Sequence, residues 1–284
     1  MTAVLFDVPG PRGRRRVLVG SVVAGVVLAG LAVLVGLRLS DNGQFAGEKW
    51  GPLLNPSDPN FGPLWRSLWG GLRATLAAAG WAMAFSLVLG TVLAVTRITA
   101  RPWYRWLVVS LIELLRGVPV VMAIFFASRV LPEVGVHLSL RWYLVIGLTA
   151  YNAVVIAEII RAGVSALPRG QTEAAYAIGL SRGAALRLIL LPQAFRIMLP
   201  ALISQVVVIL KDTSLGAFIS YEELLRRGNF AVQSLGNPLQ LYLLIGALFI
   251  MVNFALSRLA VAIERRVSRP TRGRPSATTD VVVP

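Results

Sequence analysis

The sequence predicts an all-α protein that crosses a membrane about six times. Three observations carry this. Hydrophobic residues make up 56% of the 284, and charged residues only 14%, against about a quarter charged in a soluble globular domain; mean hydropathy is +0.71. The apolar residues gather into runs near the roughly 20 residues that a helix needs to cross a bilayer. Arginines supply nearly all the cations behind a formal net charge of +15. They lie mostly between the runs and at the chain ends, where they act as topology signals rather than a nucleic-acid surface.

The first run, Val17–Leu37, contains one Ser and no charge and follows Arg12, Arg14, Arg15 and Arg16. It exceeds the about 7–15 apolar residues of a signal peptide, so it reads as a retained span. The segment 38–65 is Pro-, Gly- and Asn-rich and reads as a loop. Ala74–Thr96 is a second span, rich in the small residues that let membrane helices approach. A third covers Trp106–Val130, interrupted by Glu113, Arg116 and Pro119. Trp142–Ile160, Ala194–Leu210 and Leu239–Leu256 complete the six, and no internal repeat stands out.

With the N-terminus inside, cytoplasmic segments collect Arg97, Arg101 and Arg105, then Arg161, Arg169, Arg182, Arg187 and Arg196, then Arg265, Arg266, Arg269, Arg272 and Arg274. The segments 38–65, 131–141 and 211–238 fall outside. The positive-inside rule therefore predicts N-in and C-in. Trp50, Trp65, Trp69, Trp103, Trp106 and Trp142 fall near span ends, as an aromatic belt requires.

The absence of cysteine excludes disulfides and thiol catalysis. The lone His137 makes no metal cluster by itself, and no Ser–His arrangement or acidic metal motif appears. No G-x-x-x-x-G-K-S/T occurs, and Lys49 and Lys211 follow no glycine-rich loop, so the usual phosphate cradle is missing.

One hydrophilic stretch is too long for a membrane turn: 161–193, on the cytoplasmic side by charge. Gly170 and Gly179 bound a helix of about two turns within it. Thr172 is its expected N-cap, with Glu173 in the first turn, where a negative charge suits the dipole. Ser181 is the expected cap of a second helix with Pro192 near its far end. A helix this short is marginal alone and must dock. Ala174, Ala175 and Ala177 make it slim, while Tyr176 and Ile178 offer anchors. Either the loop folds onto its own helix ends, or it inserts into a partner.

Glu173, Ala174, Ala175, Gly179, Ile189, Leu191 and Pro192 match the spacing of the EAA signature of bacterial ABC-importer permeases. Ala157–Arg161 with Gly163, Pro168, Gly170 and Gln171, Leu191–Ala194 with Arg196, Lys211–Leu215 and Glu113–Pro119 resemble the polar amino-acid uptake subfamily, and in overall character its glutamate-type systems. Ala123 departs from it, standing where members often carry Gln. The resemblance runs through most of 67–263. It implies a type I importer permease fold and a coupling loop at 163–192. Outside the resemblance lie an extra span and external loop at 17–66 and a basic N-terminus at 1–16. A disordered basic tail follows at 264–284.

The resemblance further implies a coupling helix seated in a cytoplasmic ABC ATPase dimer, through Gly170, Gln171, Glu173, Ala174, Ala175, Tyr176, Gly179 and Pro192. It implies a second permease subunit, identical or related, and an extracytoplasmic solute-binding protein. ATP and Mg would sit on the partner ATPase, with no cofactor in this chain, which is then no enzyme. The setting implied is a bacterial inner membrane, multi-pass in the lipid bilayer, with no nucleic acid.

Charges inside spans are costly and often functional. Glu113 with Arg116, and Glu158 with Arg161, share helix faces at i,i+3; each is a helix-orienting pair or part of a gate. Lys211 and Asp212 anchor the outer end of the fifth span or line the path. Asn152, Gln205 and Asn253 either bond across helices or touch substrate. A different class, an ion-coupled secondary carrier for a small solute, is compatible with six spans and broken helices, but leaves the elaborate cytoplasmic loop without a task.

Overall fold

The computed structural model describes residues 10–267; the first nine residues and the expected basic tail beyond residue 267 lie outside the described residues. No β-strand occurs among the described residues. Contacts divide the chain into two units, Met1–Leu64 and Trp65–Pro284.

In the first unit, α1 spans Pro11–Asp41 and buries no residue. Pro11 opens it, as suits a first helical position that needs no N–H donor, so Arg12–Arg16 are helical rather than a separate tail. The Asn42 amide donates to Arg38 O at 2.7 Å, and Gly43 turns out with φ +62°. The segment 38–65 is not simply a loop: α2 occupies Gly47–Leu54 and α3 begins at Phe61. Asn55 and Asp58 accept from the N–H groups of Ser57 and Asn60 at 3.0 and 2.8 Å, the side-chain-made turns that make such sequences compact.

The larger unit contains α3 from residue 65 to its end at Thr99, α4 (Pro102–Gly117), α5 (Val120–Glu133), α6 (Leu140–Ser165), α7 (Arg169–Ala177) and α8 (Arg182–Ala185). A π-helical turn, Leu186–Leu190, runs straight into α9 (Leu191–Asp212). A 3-10 helix, Thr213–Ile219, then leads to α10 (Leu224–Leu235) and α11 (Pro238–Val267). Among the described residues, five helical stretches are long and apolar enough to span a membrane, and six if the broken α4–α5 pair counts as one.

The break expected in the third span falls at Val118–Pro119, where the helices bend by 99°: Pro119 disfavours helical geometry for the residue before it. Two other expectations change. The second coupling-loop helix does not end at Pro192. Proline there directly follows the π-helical turn, whose altered bonding already interrupts the regular ladder where its missing N–H would fall, and the helical rod continues from Arg182 to Ile219. The 211–238 segment is largely helical, and α11 carries on to Val267, past the Glu264 boundary of the expected tail.

Helix α6 is the hub. Its buried residues, among them Leu144, Leu148, Ile156 and Ile160, surround the axis, as expected of a helix apolar all round. α5 packs on it as an antiparallel hairpin, α9 lies on another side, and α3 approaches at Gly90. Two glycines set these distances. A Cβ on Gly147 would come 2.5 Å from Ile124 Cα, and one on Gly90 would come 2.7 Å from Ala153 O. The hairpin turn is pinned by Tyr143, whose hydroxyl accepts from Leu138 N at 2.8 Å and donates to Val136 O at 3.1 Å.

On the side assigned outside, α10 is wedged between α3 and α11. A Cβ on Gly71 would press Leu224 Cα at 2.9 Å. Glu223 is fully buried and caps α10, accepting from Leu225 and Arg226 N–H at 2.8 Å each, while Leu224 N–H donates to Thr75. Burial pushes the Glu223 carboxyl up to about 7, with the two backbone N–H groups pulling the other way. A folded pKa above the unfolded one means the folded state holds the extra proton between them. Stability is therefore expected to fall as pH rises from about 4.5 to about 7 and to level off above. Thermal unfolding against pH checks this; Glu223→Gln should flatten the dependence in that window.

Candidate functional site

The residues expected to form a coupling loop make up one largely exposed structure. α7 is nine residues long. Its N-cap is Pro168, without a side-chain cap, and Thr172 lies inside the helix rather than capping it. Gly170 is its second residue, so the helix starts one residue before that glycine. The other end follows the sequence closely: Gly179 adopts φ +83°. Its N–H donates to Tyr176 O at 2.9 Å, and Leu180 N–H donates to Ala175 O at 3.2 Å. These two bonds make a Schellman termination, in which a left-handed glycine satisfies the last carbonyls. Ser181 then caps α8, accepting from Ala184 N–H at 3.3 Å.

The two alternatives for this loop turn out to be compatible. Ala175 is 3% exposed and faces its own chain, where α7 packs on α8 and the π-helical turn beside Ala185, Leu186 and Leu190. Glu173, Ala174, Tyr176 and Ala177 point outward, and Ile178 is 75% exposed. One alanine docks the helix at home; an aromatic and an aliphatic side chain remain free at its tip. Pro192 is exposed at the start of α9. Next to it, the Gln193 amide donates to Gln171 Oε1 at 3.1 Å and to Ile189 O at 3.0 Å, tying α7 directly to the rod that runs into the membrane. π-helical turns recur at functional sites because they re-aim side chains.

The charged residues converge behind this loop. Glu158 bonds Arg161 at 2.9 Å within α6 and also pairs with Arg97 of α3. The side chains of Arg97 and Glu158 are only 17% and 22% exposed. Arg116 and Glu113 of α4 pair at 3.4 Å in the open, and both, with Arg105, lie within electrostatic reach of Arg97. Ion pairs thus join the ends of α3 and α6 at Glu158, with the Glu113–Arg116 pair of α4 within electrostatic reach of them. Arg97 escaped the sequence reading because it sits at a span end among other topology arginines. Its partner is 61 residues away, and no local spacing reports that. Gln193 stood inside a recognised motif, but only the fold reveals its bond.

Deeper in the bundle, the Gln205 amide of α9 donates to Asn152 Oδ1 of α6 at 2.6 Å, and the Asn152 amide donates to Leu148 O at 2.7 Å. Both residues are buried, so this is a bond across helices. Asn152→Leu alone is expected to cost about 1–3 kcal/mol, since it strands the Gln205 amide, while Asn152→Leu with Gln205→Leu should be close to neutral. Melting temperatures of the three variants check this. Lys211 is exposed and Asp212 half-buried where α9 meets the 3-10 helix.

Residues 86–269 match the family described as binding-protein-dependent transport system inner membrane component. The chain is 39% identical over 233 residues, 81% of its length, to the glutamate transport system permease protein GluD of Corynebacterium glutamicum, covering 83% of that protein. It is 34% identical to the probable glutamine ABC transporter permease protein GlnP of Bacillus subtilis, over 70% of this chain and 93% of that one. Among solved structures, an amino acid ABC transporter with histidines superposes with TM-score 0.66 at 27% identity, over 72% of this chain and 95% of that chain. The inward-facing MetNI methionine ABC transporter shares the fold, with TM-score 0.65 at 20% identity, over 73% of this chain and 99% of that chain.

Proposed function

Since the chain belongs to the binding-protein-dependent transport system inner membrane components and is a multi-pass permease subunit of an amino-acid ABC importer, we propose that α7 is its coupling helix, seated in a cleft of a cytoplasmic ATPase dimer. The observation that carries this is the exposed pair Tyr176 and Ile178 at the end of a short helix that buries only Ala175 against its own chain. A partner groove that covers them would gain the apolar burial of two anchor side chains.

Closure of the ATPase subunits on ATP then pushes α7. The Gln171–Gln193 bond and the continuous rod from Arg182 pass the displacement into α9. The charge cluster at Glu158 passes it to α3 and α6. The pore forms between this chain and a second permease subunit, and a solute-binding protein delivers substrate on the outer face. ATP and Mg act on the ATPase; this chain needs no cofactor and makes or breaks no substrate bond. The likeness to a glutamate permease favours glutamate as substrate, and the inner-membrane family description favours a bacterial inner membrane. The arginine distribution supports both termini on the cytoplasmic side.

The test is reconstitution in proteoliposomes with the ATPase and solute-binding protein encoded beside it. Uptake of labelled glutamate should require internal ATP and the binding protein, and should not be driven by a sodium or proton gradient alone. Uptake by the isolated chain under a cation gradient without ATP would establish a secondary carrier instead. Competition by unlabelled glutamine, arginine or aspartate decides the substrate.

A further inference from the structure

The depth of α4 follows from its neighbours. α5 and α6 form an antiparallel hairpin in which Ile124 faces Gly147. Counting back along α5 places Gly117, the end of α4, about level with Val154 of α6. Glu158 and Arg161 lie roughly 6–10 Å further along α6 at about 1.5 Å per residue, at the cytoplasmic headgroup level by the arginine count. The Arg97–Glu158 pair fixes the end of α3 at that level, and α4 begins just after α3, at Pro102. A helix of 16 residues, about 24 Å long, therefore starts at the headgroups and ends only roughly 6–10 Å deeper. The 99° bend from α5 agrees: α5 follows the span direction, and α4 runs across it.

The side chains of α4 match that position. Ile112 is fully buried against the bundle, and α4 packs on α6. Trp103 is 72% exposed and Leu114 67%, and Trp106, Leu107 and Leu111 are exposed with them. At 3.6 residues per turn these five lie on one arc of about 140°, which also holds exposed Ser110 and is bordered by Glu113. Arg105 lies on the opposite side of the helix, the side of buried Ile112 but about 10 Å nearer the N-terminus, and it is exposed, as is Arg101 at the N-cap. An apolar face edged by tryptophan, backed by arginine, is the composition of a helix lying in a membrane interface.

We propose that α4 is an in-plane helix seated in the inner leaflet, with its Trp103–Leu107–Leu111–Leu114 face among the acyl chains and Arg101 and Arg105 against anionic phospholipid headgroups. Glu113 and Arg116 then put a lipid-anchored helix within electrostatic reach of Arg97, which pairs with Glu158 at the end of α6 that leads into the coupling loop.

The chain contains no cysteine, so single cysteines at Leu107, Leu111 and Leu114 in the full-length chain can carry nitroxide labels in phosphatidylglycerol-containing vesicles. Power-saturation depths should agree within about 5 Å, none deeper than about 10 Å below the phosphates. A steady descent of about 10 Å from 107 to 114, the rise of a spanning helix, would overturn the proposal. So would spin–spin broadening between labelled copies with no oxygen access, which would put protein on this face.

A fluorophore at position 107 quenched by brominated lipids tests the headgroups. The labelled chain with both arginines should favour phosphatidylglycerol over phosphatidylcholine by roughly fivefold to twenty-fivefold, since each basic residue near an anionic surface supplies a factor of about five. Arg101→Gln with Arg105→Gln should bring the two to parity. Equal quenching in the chain with both arginines removes the anionic-lipid assignment. None of these readouts requires transport, so their failure would leave the importer reading untouched.

Discussion

Replacing Gly179 by proline is expected to abolish ATP-driven uptake while leaving the chain in the membrane. Gly179 sits at φ +83°, whereas proline is fixed near −65°. The substitution also removes the N–H that donates to Tyr176 O at 2.9 Å. The Schellman termination is lost, α7 no longer ends at Ala177, and Ile178 is carried away from its place at the tip. If the tip is an interface anchor, its displacement costs at least about 2 kcal/mol, so coupled uptake should fall by roughly thirtyfold or more. Gly179→Asn, which tolerates the left-handed region, should keep most of the activity. Glu173→Lys, on the exposed side of the same helix, should also abolish uptake, by placing a cation where the ATPase docks. The measurement is uptake in proteoliposomes normalised to inserted chain. Normal transport by Gly179→Pro would show that α7 is not the coupling element.

Glu158→Gln should give the second large effect, on stability and transport together. One carboxylate serves two guanidinium groups, Arg97 and Arg161. Removing it leaves both cations facing each other at the end of the bundle. Breaking a fully buried pair costs about 3–5 kcal/mol. With roughly a fifth of the Glu158 side chain exposed, about 2 kcal/mol is the reasonable expectation, which lowers the melting temperature by about 4–8 °C. The diagnostic is the double variant. If the α3–α6 link is the origin of the loss, Arg97→Gln in the Glu158→Gln background should recover part of it, with a coupling energy of about 1 kcal/mol or more. Strict additivity of the two single changes would mean that Arg97 and Glu158 act separately.

Composition and the spacing of apolar runs were enough to read an all-α membrane protein of about six spans, because the bilayer imposes a minimum length on each run and excludes unpaired backbone from it. Local chemistry also gave the two ends of the coupling segment that depend on a single residue, the left-handed Gly179 and the Ser181 cap. The exact start of α7 was not legible. Thr172 had the right chemistry for a cap, but Pro168 opens the helix four residues earlier. Nor was the fate of Pro192: proline ends a helix when its missing N–H breaks a regular ladder, but here the π-helical turn before it already interrupts that ladder.

Only the tertiary structure decided what meets what. It brought Arg97 to Glu158 across 61 residues, Gln205 to Asn152 across 53, and Gln193 to Gln171 across 22. It turned Ala175 inward and Ile178 outward on a helix whose sequence treats both as small or apolar. It also converted one apolar run into α4 and α5 at 99°. Hydropathy averages over a window and so reports that a segment prefers lipid. It does not report direction, because a helix along the membrane surface and a helix across it bury apolar side chains of the same kind, and only the packing of α5 on α6 tells them apart.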